Sequence, residues 1–184
     1  MFWPFNHLRK PRRAPRSTIE AIYGMIVTQA RESIFYQDFL GVPDTFEGRF
    51  DLLVLHLWLL LRRLRSAQNG PALSQALFDR FCEDMDDNLR EMGIGDLAVP
   101  KRMQAFGQAF YGRTRAYDRA MDEGGDALAS AISRNIFNGA ESGQARQLAA
   151  YARASEAELG RTDEDALLRA SFKFPSPLRE DLAP

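Results

Sequence analysis

The residues of this chain best suited to chemistry lie between Phe81 and Tyr117. Four acids, Glu83, Asp84, Asp86 and Asp87, close one helical pattern. Asp84, Asp87 and Glu91 follow at i, i+3 and i+7, which places three carboxylates on one helix face. Such a cluster can hold Mg²⁺, usually beside substrate phosphates. An all-α enzyme acting on an isoprenoid diphosphate or lipid would use it that way, but only one cluster is present and its aspartate spacing does not match that pattern. Salt-bridging is the preferred reading. Asp86 and Arg90 are an i, i+4 acid–base pair, and Lys101-Arg102 follow just across the glycine-punctuated turn Gly93-Ile94-Gly95-Asp96. No metal and no cofactor is expected.

The segment beyond the turn is aromatic and basic: Phe110-Tyr111-Gly112-Arg113, then Ala116-Tyr117. Two readings carry equal weight. In one, Phe110 and Tyr117 pack inward while Arg113, Arg115 and Arg119 face water. In the other, Tyr and Arg anchor a contact surface, as they do in protein interfaces. Gly112 costs a helix about 1 kcal/mol relative to Ala, which the close approach of a helix or a partner would explain. The remaining chemistry is sparse. His56 lies among Leu55, Leu57 and Trp58 and reads as a core histidine, while His7 is near the N-terminus. Cys82 is the single cysteine, so no internal disulfide forms, and it reads as a packing residue beside Phe78 and Phe81. One Cys and two His give zinc little support. No nucleophile elbow and no phosphate-binding Gly-rich loop after a strand is present.

The elements that must position these residues are helical, because a 3.6-residue apolar period recurs and strand signals are nearly absent. A first helix is expected from Thr18 to the mid-thirties, opened by a Ser17/Glu20 capping box. A second runs from Phe46 to Ser66, apolar almost all round between Leu52 and Leu61 and therefore central. Arg62, Arg63 and Arg65 crowd its last turn, where cations complement the helix dipole. A third runs from Ala72 to Met92, with Pro71 in its first turn and Gly93 as its left-handed end. A fourth spans Pro100 to Met121. A shorter one follows, capped by Asp126 and reaching Phe137, then one from Gly143 to Glu158, and a last short one opened by Thr162 with Asp165. The expected fold is all-α, a compact single-domain bundle of about six to seven helices.

With 184 residues, 45% hydrophobic and 27% charged, the chain has the profile of one soluble globular domain. Its 24 basic and 25 acidic residues leave no bulk charge for DNA. The balance is uneven: net +4 over 1–65, −1 over 66–121 and −4 over 122–184. The longest uncharged apolar run, Leu52 to Leu61, is far short of a membrane span. Three segments are expected: a basic, aromatic arm at 1–16, the helical domain at 17–174, and a flexible tail at 175–184. The arm carries Phe2, Trp3 and Phe5 ahead of Arg9, Lys10, Arg12, Arg13 and Arg16. It reads first as an unstructured terminus. An anionic bilayer or ribosomal RNA would suit its composition as a partner.

One ordered series remains: Arg49-Phe50-x4-Leu55-His56-x-Trp58-Leu59, Asp84-Met85-Asp86-x2-Leu89-Arg90-Glu91-Met92-Gly93-Ile94-Gly95-Asp96, Lys101-Arg102-Met103 and Phe110-Tyr111-Gly112-Arg113-x3-Tyr117. It resembles the ubiquinol–cytochrome c chaperone family over roughly residues 17 to 138, leaving the arm and the acidic last third outside. The resemblance implies an assembly factor and not an enzyme. Its mitochondrial members work with a small partner protein at the ribosomal tunnel exit, bind newly made cytochrome b and guide it toward ubiquinol–cytochrome c reductase. The short stretch before Ser17 looks more like a bacterial member, expected in the cytoplasm or peripherally at the inner face of the cell membrane; a eukaryotic member would be in the matrix. On this reading Asp84, Asp86, Asp87, Arg90, Glu91 and Asp96 meet a partner on one side of the turn. Lys101, Arg102, Tyr111, Arg113 and Tyr117 face them from the other. The diphosphate-dependent enzyme and a membrane-surface scaffold acting through the arm remain as rivals.

Overall fold

The computed structural model of the chain describes residues 14–140 and 143–177. The arm expected to touch a bilayer or RNA lies outside them, apart from its last three residues. Among the described residues there are seven α-helices and no strand: α1 Arg16–Ala30, α2 Phe46–Leu64, α3 Gly70–Glu91, α4 Val99–Glu123, α5 Ala127–Ile136, α6 Gly143–Arg161 and α7 Glu164–Leu168. The all-α expectation holds, and so does the helix order.

Helix α2 is the axis of the molecule and packs against α1, α3, α4, α5 and α6. Its residues from Leu52 to Leu60 are buried without interruption, so it has no solvent face for polar side chains. Trp58, Leu52, Leu55, Leu57 and Leu59 are fully enclosed, each worth about 1.5–3 kcal/mol over an exposed side chain. Thr45 opens the helix by accepting the Gly48 N–H on its hydroxyl at 3.1 Å. Gly48 is required there, because a Cβ would sit 2.0 Å from the Pro43 carbonyl oxygen. His56 is a core histidine, as its neighbours imply. Its Nδ1–H donates to the Leu52 carbonyl at 2.8 Å and its Nε2 accepts the Tyr151 hydroxyl, also at 2.8 Å. Burial drives its pKa down to about 4, so the ring is neutral.

The three arginines at the end of α2 bind partners rather than simply facing a dipole. Asp118 of α4 accepts from Trp58 Nε1 at 2.8 Å, from Arg62 at 3.2 Å and from Arg65. Arg63 donates to the carbonyls of Leu159 at 2.9 Å and Thr162 at 2.8 Å, satisfying the end of α6. Burial alone would raise the Asp118 pKa, but hydrogen bonds from Arg65, Trp58 and Arg62 outweigh it and hold the carboxyl below its usual range.

Four local expectations are corrected. Ser17 does not cap α1; the helix starts two residues earlier than expected, at Arg16 after Pro15, whose carbonyl accepts the Thr18 and Ile19 N–H groups at 3.0 and 3.2 Å. Glu20 is instead drawn away to Arg80 Nε at 3.0 Å. The α-helix stops at Ala30, and a 3₁₀ turn over Ser33–Tyr36 then puts Phe35 into the core. Asp126 occupies the cap position of α5 but its side chain makes no capping bond. Asp163, not Thr162, caps α7 by accepting the Ala166 N–H at 2.6 Å, while the Thr162 hydroxyl turns back to the Glu158 carbonyl. At the other boundary, Pro175 and Pro177 are buried, so the packed chain continues past the point where the tail is expected to begin.

Candidate functional site

The C-terminal end of α3 is where the expected acids, an exposed turn and a cleft come together. Gly93 takes the left-handed conformation at φ +78° that closes the helix. Arg90 clamps the turn that follows, reaching Asp86 at 2.5 Å with Nε and Asp96 at 2.5 Å with Nη1. The i, i+4 pair read from the sequence is therefore present, and Asp96 joins it. The acids do not converge on a common point. Asp84 turns toward α1 and accepts the Tyr23 hydroxyl at 2.9 Å. Burial and this neighbouring carboxylate push the Tyr23 pKa up. Asp87 and Glu91 continue the Arg80–Asp84 side of α3 at helical spacing and are exposed. Among the described residues no three His, Cys, Asp or Glu side chains are grouped to hold a metal ion.

Between α1, α2 and α3 lies a cleft of about 150 Å³. Val27, Phe46, Phe50, Leu53 and Met85 give it apolar walls, and Arg31, Arg49, Asp84 and Asn88 rim it. Phe46 and Phe50 are backed by Phe106 of α4, with ring centroids 5.9 and 5.1 Å away. Arg49 is held on the rim by Asp44 at 2.7 Å. Of the eleven residues expected to meet a partner, Asp84 alone lines this cleft.

Arg113 and Tyr117 belong behind the cleft. Tyr117 is fully buried against Trp58, with ring centroids 5.2 Å apart, so in this fold it is a core residue and not a surface aromatic. Arg113 stands 5.5 Å over the Phe50 ring and brings Nε to 2.6 Å from Oδ1 of Asp51. Asp51 is 4% exposed, and burial pushes its pKa up to about 6 against the attraction of Arg113. The pair is therefore a close, largely buried charge contact between α2 and α4. The Tyr117 hydroxyl beside them is buried without a partner. Lys101, Arg102 and Tyr111 are exposed. Neither basic residue faces the acids across the turn in an ion pair with a described residue. Gly112 has open space where a Cβ would stand, so no neighbouring helix of the described chain explains it.

The family profile described as ubiquinol-cytochrome C chaperone matches residues 38–174. The chain belongs to the ubiquinol–cytochrome c chaperone family. The match begins after α1 and takes in the last third, which the sequence motifs leave out. The crystal structure of the Cbp3 homologue from Brucella abortus superposes with a TM-score of 0.80 at 38% identity, covering 89% of this chain and 92% of that one. Protein CBP3, mitochondrial, of Saccharomyces cerevisiae is 29% identical over 150 residues, 78% of this chain and 44% of the yeast protein. The mouse ubiquinol-cytochrome c reductase complex assembly factor 1 is 29% identical over 98 residues, 53% of this chain and 33% of its own length. The chain thus spans between a third and about half of these curated relatives.

Sequence reasoning missed the walls of the cleft, because Val27, Phe46, Phe50 and Leu53 look like any core residues of α1 and α2. It also missed Asp51, for which a signal existed. A carboxylate at the head of the apolar run of α2 needs a partner, and the family motif around Phe110 supplies Arg113.

Proposed function

We propose that this chain is an assembly chaperone for ubiquinol–cytochrome c reductase and acts by holding newly made cytochrome b, without catalysis. Family membership over residues 38–174 is the observation that carries the reading. The relatives named as assembly factors of that complex support it, and so does the fold shared with the Brucella abortus homologue. The cleft supplies the physical means. Its apolar walls suit a segment of a membrane protein that has not yet reached lipid, and its size suits one or two side chains rather than a whole helix.

The acids expected to meet a partner follow from the same geometry. Asp84 is on the rim, and Asp87 and Glu91 extend its side of α3. Membrane proteins carry Lys and Arg beside the ends of their spans on the side where they are made. The rim carries Arg31 and Arg49 as well as Asp84, so it is the α3 side of the cleft, where Asp87 and Glu91 extend Asp84, that suits the basic flanks of a client segment. Asp86, Arg90 and Asp96 hold the adjoining turn, Arg113 supports the Phe50 wall from behind, and Tyr117 packs on Trp58 in the core. No helix of the described residues is long and apolar enough to cross a membrane.

Photo-crosslinking in living cells tests this. A probe replaces Phe46, which is at the mouth of the cleft, and a control probe replaces the exposed Ser130 of α5. Adducts with cytochrome b at Phe46 and not at Ser130 are expected. Efficient capture of other proteins at Phe46, with no subunit of the reductase among them, would overturn the reading.

A further inference from the structure

We propose that the outer ridge of α4 is a docking surface for an anionic lipid bilayer. Lys101, Gln104, Ala105, Gln108, Gly112, Arg115 and Arg119 recur at three- and four-residue spacing and form one exposed line along the helix. From Lys101 to Arg119 this line is about 27 Å long at the α-helical rise. Lys101, Arg102, Arg115 and Arg119 are exposed and make no ion pair with a described residue. The single acid between Val99 and Arg119 is Asp118, and it is turned inward to Arg62, Arg65 and Trp58. Asp122 is likewise bound by Arg62, at 2.6 Å. From Lys101 to Arg119 the ridge is therefore a straight cationic edge with no exposed counter-charge on it; Glu123, one turn beyond Arg119, ends it.

Apolar side chains along and ahead of this edge distinguish a bilayer from other polyanions. Leu97, on the turn leading into α4, is 100% exposed and touches nothing in the fold. Met92, at the end of α3, is 58% exposed, and Tyr111, on the flank of the ridge, is 61% exposed. A phosphate backbone gives a leucine or methionine nothing to bury against, whereas the boundary between headgroups and acyl chains does. Tyrosine favours that same depth. Gly112 leaves the middle of the ridge low, which suits close approach to a flat surface. The acids at this end of the molecule do not oppose docking directly. Asp87 and Glu91 continue the α1-facing side of α3, and Asp86 and Asp96 are bound by Arg90. The proposal does not rest on the client reading, because vesicle binding is scored without any client.

The test is co-flotation of the full chain with vesicles of phosphatidylcholine alone or with about a third phosphatidylglycerol, at low and high salt. Each basic residue near an anionic surface contributes about a fivefold factor, so Lys101→Gln/Arg115→Gln/Arg119→Gln should lower binding by about 100-fold. Leu97→Ala should lower it by about 50-fold at most. A second full-length variant, Arg9→Gln/Lys10→Gln/Arg12→Gln/Arg13→Gln, tests the N-terminal segment. Salt-sensitive binding to anionic vesicles that the α4 variant loses and the N-terminal variant keeps would establish the surface. The proposal is overturned by equal binding to neutral vesicles, by loss in the N-terminal variant alone, or by binding to a short single-stranded RNA with none to vesicles. Unchanged circular dichroism of the α4 variant, expected because Gln, Arg and Lys have similar helix propensities, excludes misfolding as the cause.

Discussion

Replacing Arg113 by Met should destabilise the protein in a pH-dependent way, and the size of the effect follows from Asp51. In the folded protein Asp51 titrates at about 6, against an ordinary value of 3.8. The folded state therefore keeps this proton longer than the unfolded chain does. The penalty is absent below the lower value and complete above the higher one, where it reaches about 3 kcal/mol at 1.36 kcal/mol per unit. Without Arg113 the carboxylate loses its one attractive neighbour and stays protonated to still higher pH. At about pH 7.5 the added penalty is then about 2 kcal/mol, the 1.5 units between 6 and 7.5. Lost contact with the Phe50 face adds about 1 kcal/mol at any pH. The expected destabilisation is about 3 kcal/mol at pH 7.5 and about 1 kcal/mol at pH 5, or about 9 °C and 3 °C in Tm for a chain of this size. Thermal unfolding followed by circular dichroism at both pH values measures it. Variant and wild type are compared at the same pH, so other titrating groups cancel. Equal losses at the two pH values would refute the reasoning and mean that Asp51 is already neutral or solvated beside Arg113.

Three further outcomes follow. His56 titrates near 4 when folded and near 6.5 when unfolded, so its contribution is lost as pH falls through that window, by about 3 kcal/mol; in NMR its ring carbon shifts should stay flat down to about pH 5. Tyr151→Phe removes the hydroxyl that satisfies the buried His56 Nε2 and should cost about 1–3 kcal/mol in urea unfolding; no loss would mean that this hydrogen bond contributes nothing net to stability. Gly48→Ala drives a Cβ into the Pro43 carbonyl and should cost about 1–3 kcal/mol, although Ala is the better helix former; a stabilised variant would show that the Pro43 segment moves freely.

Helices were readable because their signals are local. The unbroken burial of α2 follows from its apolar run, and the ends of α3 follow from Pro71 and Gly93. Caps were less readable, since a side chain that could cap has other offers. Glu20 answers Arg80, 60 residues away, and Ser17 loses its position to Pro15. The Asp86–Arg90 pair was legible because both members lie on one helix, one turn apart. The Asp51–Arg113 pair was not, because its register depends on how α2 and α4 cross. The equal weights given to Arg113 and Tyr117 as core or contact residues reflect the same limit. Helical spacing fixes which residues share a face, but not which face meets a neighbour.

This limit also explains why one motif came apart in three dimensions. The acids, the turn and the aromatic segment are continuous in sequence and suggest a single surface. The hairpin of α3 and α4 instead splits them. The acidic side of α3 borders α1 and the cleft, while the exposed cations of α4 form the opposite edge of the hairpin. Charge is thereby sorted across the molecule in a chain whose net charge is only −1. The sorting has a functional consequence if both proposals hold. A cationic edge against anionic lipid would turn the carboxylates on the α3 side of the cleft aside from the membrane surface, where they would otherwise be repelled. It would leave the cleft open to a basic-flanked segment that has not yet inserted. Charge reversal separates the two roles: Lys101→Glu with Arg115→Glu should abolish vesicle binding and leave crosslinks at Phe46 intact in detergent extract. Loss of both together would mean that the ridge and the cleft serve one partner.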